Sequence, residues 1–126
     1  APDPTVHLHT LETLLDAIPD LVYLLDRDLR YRYANTSGLF VLGMDREDRE
    51  RVDGRHWREL DLPAEFLDPL EARIRGVFAS GVTTIHETAW PTTVAERRYE
   101  FVLAPLSDPT GAIQAVVVSG RDLGER

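Results

Sequence analysis

Few residues of this sequence are able to do chemistry, and their spacing does not point to catalysis. Four histidines, His7, His9, His56 and His86, are the side chains that titrate near neutrality. His7 and His9 stand two positions apart, so on a helix they point to different sides and share no metal. No Ser-His-Asp order, no HExxH pair and no glycine-rich phosphate loop stands out. Cysteine is absent, which removes disulfides, thiolate metal ligands and thiol nucleophiles. All 14 basic residues are arginine, which excludes a Schiff-base or phosphate-loop lysine. We expect no catalytic residue and no metal site. A formal charge of −8 argues against a nucleic-acid or anionic-membrane surface.

The elements that would position such residues fit one domain: 126 residues, 43% hydrophobic, suit a single core. The chain is organised around Tyr99–Leu106 and Ala112–Ser119, two runs of strand formers flanking Asp108-Pro109-Thr110-Gly111. That tetrapeptide has the preferences of a type I turn, so the spacing predicts an antiparallel hairpin. Both its strands are apolar on both faces, which places it centrally and calls for cover on both sides. Before it, Asp3-Pro4 is expected to start a helix that Pro19-Asp20 ends, with Leu8, Leu11, Leu15 and Ile18 as an apolar seam widened by Leu14. That seam either lies on its own sheet or is shared with a second copy, and one helix could serve both. Leu21–Leu25 and Arg30–Ala34 read as strands, and Asn35 as the N-cap of a short helix closed by Gly43. The mixed-charge run Asp45–Asp53 reads as solvated surface, and Gly54–Leu60 as a further helical turn anchored by Trp57. Asp68-Pro69-Leu70-Glu71 has a capping-box pattern, so the longest helix is expected to start there and to stop at Ser80-Gly81, with Pro63–Leu67 as an optional turn in front. Val82–Trp90 reads as an edge strand and Pro91–Glu96 as a loop. Strands grouped apart from helices imply α+β, an antiparallel sheet with helices packed on one face.

Read in order, these pieces resemble a PAS domain, the bacterial sensory box, and in particular its fourth PAS-fold subgroup. The resemblance rests on Leu14-Leu15-Asp16-Ala17-Ile18-Pro19-Asp20, on Tyr23-Leu24-Leu25-Asp26 with Tyr33-Ala34-Asn35, and on Leu42-Gly43 and Gly54-Arg55. It continues in Glu100–Leu106, Gly111 and Gly120-Arg121-Asp122-Leu123. Two positions depart from the family pattern. Gly124 replaces the Thr of the exit motif, and Leu29 stands where a hairpin glycine is common, a change that a longer turn should accommodate. The resemblance implies a five-stranded antiparallel sheet in the order 2-1-5-4-3. It also implies a sensory or regulatory input module of a bacterial signal-transduction protein, a sensor histidine kinase of a two-component system or a cyclic-dinucleotide enzyme. The alternative is a ligand-free dimerisation scaffold that transmits signals sensed elsewhere. Residues 1–20 are then a cap and dimerisation helix, 21–122 the PAS domain, and 123–126 the start of a linker to an output domain.

The resemblance further implies a non-catalytic domain and no bound cofactor. Haem-binding members use a His on the long helix and Asp68–Ser80 has none, while flavin photochemistry needs an absent Cys, so neither haem nor flavin is expected. The space between sheet and helices is expected to be lined by Phe40, Trp57, Phe66, Ile74, Phe78 and Phe101, with Tyr31 or His86 as polar groups. Whether these close-pack as core or leave a pocket for an unidentified small molecule stays open. Asp122 and Glu125 have capping-box spacing, so Asp122 is expected to start a signalling helix; Arg121 could instead pair with a carboxylate near the sheet edge. The expected partners are a second copy, through Leu8, Leu11, Leu15 and Ile18, and a covalently linked output domain, with no nucleic acid and no membrane contact. With no 18-residue apolar run and no signal peptide, a cytoplasmic segment of a longer protein is expected.

Overall fold

A computed structural model describes residues 4–60, 62–90 and 97–125. The elements run α1 (Pro4–Ala17), β1 (Leu21–Asp26), β2 (Tyr31–Ala34), α2 (Thr36–Val41), α3 (Arg49–Val52), α4 (Ala64–Ser80), β3 (Thr84–Trp90), β4 (Arg97–Ser107) and β5 (Ile113–Glu125). Short 3-10 turns over Arg46–Asp48 and Trp57–Leu60 join the helices. The strands form one five-stranded antiparallel sheet in the order β2-β1-β5-β4-β3, as expected. Asp3 and the loop Pro91–Glu96 lie outside the described residues.

The β4–β5 hairpin owes its register to Asp108. Its Oδ1 accepts from the Thr110 amide at 2.8 Å, the Thr110 hydroxyl at 2.6 Å and the Ala112 amide at 3.1 Å. Gly111 then leaves the turn at φ 91°, which glycine adopts without steric cost. One face of the sheet buries Leu21, Tyr23, Leu25, Tyr99, Phe101, Leu103, Val116 and Val118 against Leu39, Trp57, Leu67, Leu70, Ile74 and Val77. Each such side chain contributes roughly 1.5–3 kcal/mol on full burial. The expected cover on both faces is not found: Val22, Leu24, Val102 and Val117 alternate with the buried residues and stay half-buried, and Ile85 is exposed.

Four further expectations are corrected. The optional front turn is part of the long helix, which begins at Ala64 after Pro63, so Asp68-Pro69 is not its start and Pro69 sits inside it. The missing Pro69 amide costs a helical bond, but the earlier start buries Leu67 on the same face as Leu70 and Ile74. Glu71 does not close a capping box; its carboxylate is drawn to Trp57 and Arg58 instead. Leu29 is not relaxed by a longer turn. It takes φ 60°, a strained conformation for a leucine costing about 1–2 kcal/mol, which its complete burial offsets. Beyond β5, no helix starts at Asp122, because the strand runs on to Glu125.

Helix α1 leaves its seam open to solvent. Leu8, Leu11 and Ile18 are exposed, as is Leu14, and Leu15 alone of the seam is half-buried. No helix of the described residues is long and apolar enough to cross a membrane.

Candidate functional site

Between the buried face of the sheet and the start of α4 lies a cavity of about 20 Å³, room for about one water. Tyr23 and Leu25 of β1, Tyr31 of β2, Phe101 of β4 and Val118 of β5 form its floor, and Trp57, Leu62, Phe66 and Leu70 its roof. Strand alternation aims Tyr23 and Leu25 the same way. The Tyr23 ring meets Tyr31 edge to face, with centroids 5.4 Å apart, and Phe66 lies 6.1 Å from Phe101. Phe101 pairs in register with Gly120 of β5, where an added Cβ would stand 2.9 Å from the Phe101 ring and 2.8 Å from Leu21. Glycine there lets the cavity floor close over the central strand.

Three polar side chains reach the walls. The Tyr23 hydroxyl donates to the Gly38 carbonyl at 2.6 Å, and Trp57 Nε1 donates to Glu71 Oε1 at 3.1 Å. Burial raises the pKa of Tyr31, and burial with the neighbouring Tyr31 and Tyr99 raises that of Tyr23, so both phenols are neutral throughout the physiological range. Burial also works against ionisation of Glu71. Hydrogen bonds from Arg58 and Trp57 and the charges of Arg58 and Arg75 outweigh it and hold the carboxyl below its usual value. That carboxylate stands behind the roof, and none of the described residues lining the cavity is charged.

Of the residues read from the sequence as pocket lining, Tyr31, Trp57, Phe66 and Phe101 come together on the cavity. Ile74 is fully buried in the core further along α4. Phe78 lies under the Arg27 guanidinium, 5.1 Å from ring centroid to carbon, beside an open surface cleft. His86 sits on β3 with a ring nitrogen 2.9 Å from Thr84 Oγ1, and burial, then the charge of Arg73, lowers its pKa. Phe40 does not line the cavity at all: it is 78% exposed, because α2 turns Leu39 inward instead. Tyr23, Leu25, Leu62, Leu70 and Val118 were missed. The alternation of Leu21–Leu25 carried a signal for Tyr23 and Leu25, whereas Leu62 belongs to no periodic run.

A polar latch ties α1 to this core. Asn35, fully buried, accepts from Val22 N at 2.9 Å and Gly38 N at 2.8 Å through Oδ1. Its Nδ2 donates to the carbonyls of Leu15 and Asp20, both at 2.9 Å. Beside it, Asp16 accepts from Arg49 at 2.6 Å, Thr36 N at 3.0 Å and the Tyr33 hydroxyl at 3.1 Å. Burial pulls the Asp16 pKa up, but these bonds and the Arg49 charge together leave it below its usual value. Burial dominates at Tyr33, whose pKa is pushed up to about 12. A second, open cleft of about 220 Å³ borders this latch, and its guanidiniums Arg32 and Arg49 are already paired with Asp26 and Asp16.

At the exit, Asp122 accepts from Arg97 Nη2 at 2.6 Å and from the Gly124 amide at 2.7 Å, which holds it in the strand. Arg121 pairs with Glu100 at 3.3 Å across the inner strands β5 and β4, not with a carboxylate at the sheet edge. Among the described residues no cluster of His, Asp and Glu is placed to hold a metal ion.

No curated protein matches the sequence significantly. Among solved structures, the PAS domain of Bordetella pertussis BvgS matches with TM-score 0.77 at 20% identity, over 96% of this chain and 89% of that one. A sensory box sensor histidine kinase from Vibrio cholerae matches with TM-score 0.66 at 17% identity, over 94% of each chain. The phage VqmA–DPO complex matches with TM-score 0.75 at 24% identity, over 94% of this chain but 54% of that one, so the chain spans about half the length of that protein. At such identities these likenesses establish the fold. The sequence profile of the PAS fold, fourth subgroup, matches residues 15–126. This chain therefore belongs to the PAS fold family.

Proposed function

We propose that this domain is the sensory input module of a bacterial signal-transduction protein, itself non-catalytic, which passes the state of its cavity to a linked output domain. The observation that carries this reading is the position of the cavity. Its floor includes Phe101 and Val118, on two paired strands that run on to the Arg97–Asp122 pair at the exit, with one register shift between Arg98 and Tyr99. A change in cavity occupancy reaches the exit through hydrogen-bonded backbone, with no loop between. The output domain is a histidine kinase or a cyclic-dinucleotide enzyme in this reading. Likeness to sensor kinase domains and to VqmA, whose complexes carry a ligand and DNA, supports a sensory role of this kind. The exposed Leu8, Leu11 and Ile18 of the seam support assembly as a homodimer, and a cytoplasmic location belongs to the same reading.

A second reading, a ligand-free scaffold relaying signals sensed elsewhere, is favoured by the size of the cavity, which holds about one water. Native mass spectrometry of gently purified protein separates the two. A bound organic molecule, released on unfolding, is the result the sensor reading expects; bare polypeptide from every source supports the scaffold.

A further inference from the structure

We propose that β3 is a docking edge for a second copy of this chain, whose own β3 adds to it antiparallel and joins the two sheets into one. This contact goes beyond the α1 seam and depends on neither the seam nor the cavity. The two edges of the sheet differ in how their backbone is used. At the β2 edge, Tyr31 N donates to the Arg55 carbonyl at 2.9 Å and the Tyr31 carbonyl accepts from Gly54 N at 2.7 Å. Arg49 Nε adds a bond to the Ala34 carbonyl at 3.1 Å. At the other edge, among the described residues, no hydrogen bond outside the β4 ladder reaches the backbone of β3. Open edges are ordinarily protected by a lysine, a proline or a bulge that deters pairing. β3 has none of these: the chain holds no lysine, no proline stands within Thr84–Trp90, and the register with β4 is unbroken.

A second copy is the occupant that the pattern of this strand fits. The chain carries a formal charge of −8, so like copies meet favourably only where local charge is low. The one charged residue of β3 is Glu87, and Arg98 Nε already donates to its carboxylate at 2.6 Å. Take a two-fold axis through His86, perpendicular to the sheet. Thr84 of each copy then stands opposite Thr88 of the other, a favourable cross-strand pair, and Ile85 stands opposite Glu87. An axis through Glu87 would instead set two carboxylates face to face. The two Ile85 side chains become diagonal neighbours on the outer face. At 65% exposure Ile85 is the most exposed large apolar residue of the described strands, and the contact gives it an apolar neighbour. His86 shares the helix-covered face with Phe101, its register partner. Burial, then the charge of Arg73, lowers the His86 pKa, so two neutral rings meet at the axis near pH 7. Helix α4 packs mainly on β4 and β5, which leaves the edge accessible. Backbone hydrogen bonds along the added strand supply the rest of the contact.

The test is sedimentation velocity from micromolar to millimolar protein, on the whole chain and on Ile85→Lys, Ile85→Val and Leu11→Glu. Ile85→Lys sets two ammonium groups diagonally across the axis at an exposed site, so circular dichroism should show the fold unchanged. The parent should step to a species of twice the mass as concentration rises. Ile85→Lys should lose that step, and Ile85→Val, which keeps a branched apolar side chain, should retain it. Leu11→Glu removes the seam contact and should still pair at millimolar concentration. In that variant the β3 amides should exchange more slowly at millimolar than at micromolar protein, with β2 amides unchanged. No concentration-dependent step in the parent, a step that survives in Ile85→Lys, or β3 amides indifferent to concentration would each overturn the proposal. A parent that starts as a monomer and pairs only through this step sinks the seam contact and leaves the β3 edge standing.

Discussion

Asn35 offers the sharpest test of how the N-terminal helix is joined to the cavity-bearing core. Its side chain makes hydrogen bonds to Val22, Gly38, Leu15 and Asp20, all to backbone, from a position with no solvent exposure. Asn35→Ala removes the α2 cap, worth about 0.5–2 kcal/mol, and strands the other partners. At about 1 kcal/mol net per bond the loss approaches 3–4 kcal/mol, less whatever water recovers at the carbonyls. For a domain of this size that corresponds to a Tm roughly 10–15 °C lower. Asn35→Asp separates the two halves of the latch. It keeps the acceptor facing Val22 and Gly38, but turns a carboxylate oxygen toward the Leu15 and Asp20 carbonyls. Thermal melts followed by circular dichroism give the size of the effect, and amide hydrogen exchange gives its place. In Asn35→Asp the amides of α1 should exchange faster while those of α2 stay protected. An Asn35→Ala variant melting within about 2 °C of the parent, or α1 exchange unchanged in Asn35→Asp, would refute the latch.

Gly120→Ala places a Cβ 2.8–2.9 Å from Leu21 and Phe101 and should cost about 1–3 kcal/mol in urea unfolding. Gly76→Ala, in open space on α4, should gain about 0.5–1 kcal/mol instead, and equal effects would contradict the packing described. Acid should destabilise the fold in a defined window. Asp16, Asp122 and Glu71 all have lowered pKa values in the folded chain, so their stabilisation is complete above the ordinary values of 3.8 and 4.5 and is lost as pH falls through the folded ones. Tm should therefore hold from pH 7 to about 5 and drop below about 4, with a smaller drop in Asp16→Asn. Leu11→Glu, at an exposed seam position, should shift sedimentation from dimer toward monomer, and an unchanged dimer would place the contact elsewhere.

The fold was legible in the sequence because its strongest signals are long-range in consequence. Two doubly apolar strands around Asp108–Gly111 require a central hairpin, and Asn35 after an alternating strand requires a capped helix. The failures come from local patterns that tertiary contacts override. Asp68-Pro69-Leu70-Glu71 has the spacing of a helix start, yet the Glu71 carboxylate finds better partners in Trp57 and Arg58. Asp122 and Glu125 have capping spacing too, but Arg97 across the sheet holds Asp122 in the strand. The cavity was half legible. Aromatic type picked out Trp57, Phe66 and Phe101, but could not tell the inward Leu39 from the outward Phe40, because six helical residues carry too little periodicity. The latch from Asp16 to Arg49 left no pattern, since its partners stand far apart in sequence.

The central claim is that cavity state is read at the exit strand, and hydrogen exchange tests it most directly. Protein as purified should be compared with protein stripped by unfolding and refolding, amide by amide. The account predicts altered protection in two separated places: the start of α4, around Ala64–Leu67, and the end of β5, around Gly120–Leu123. A difference confined to the cavity walls, with the amides from Gly120 to Leu123 unchanged, would contradict it.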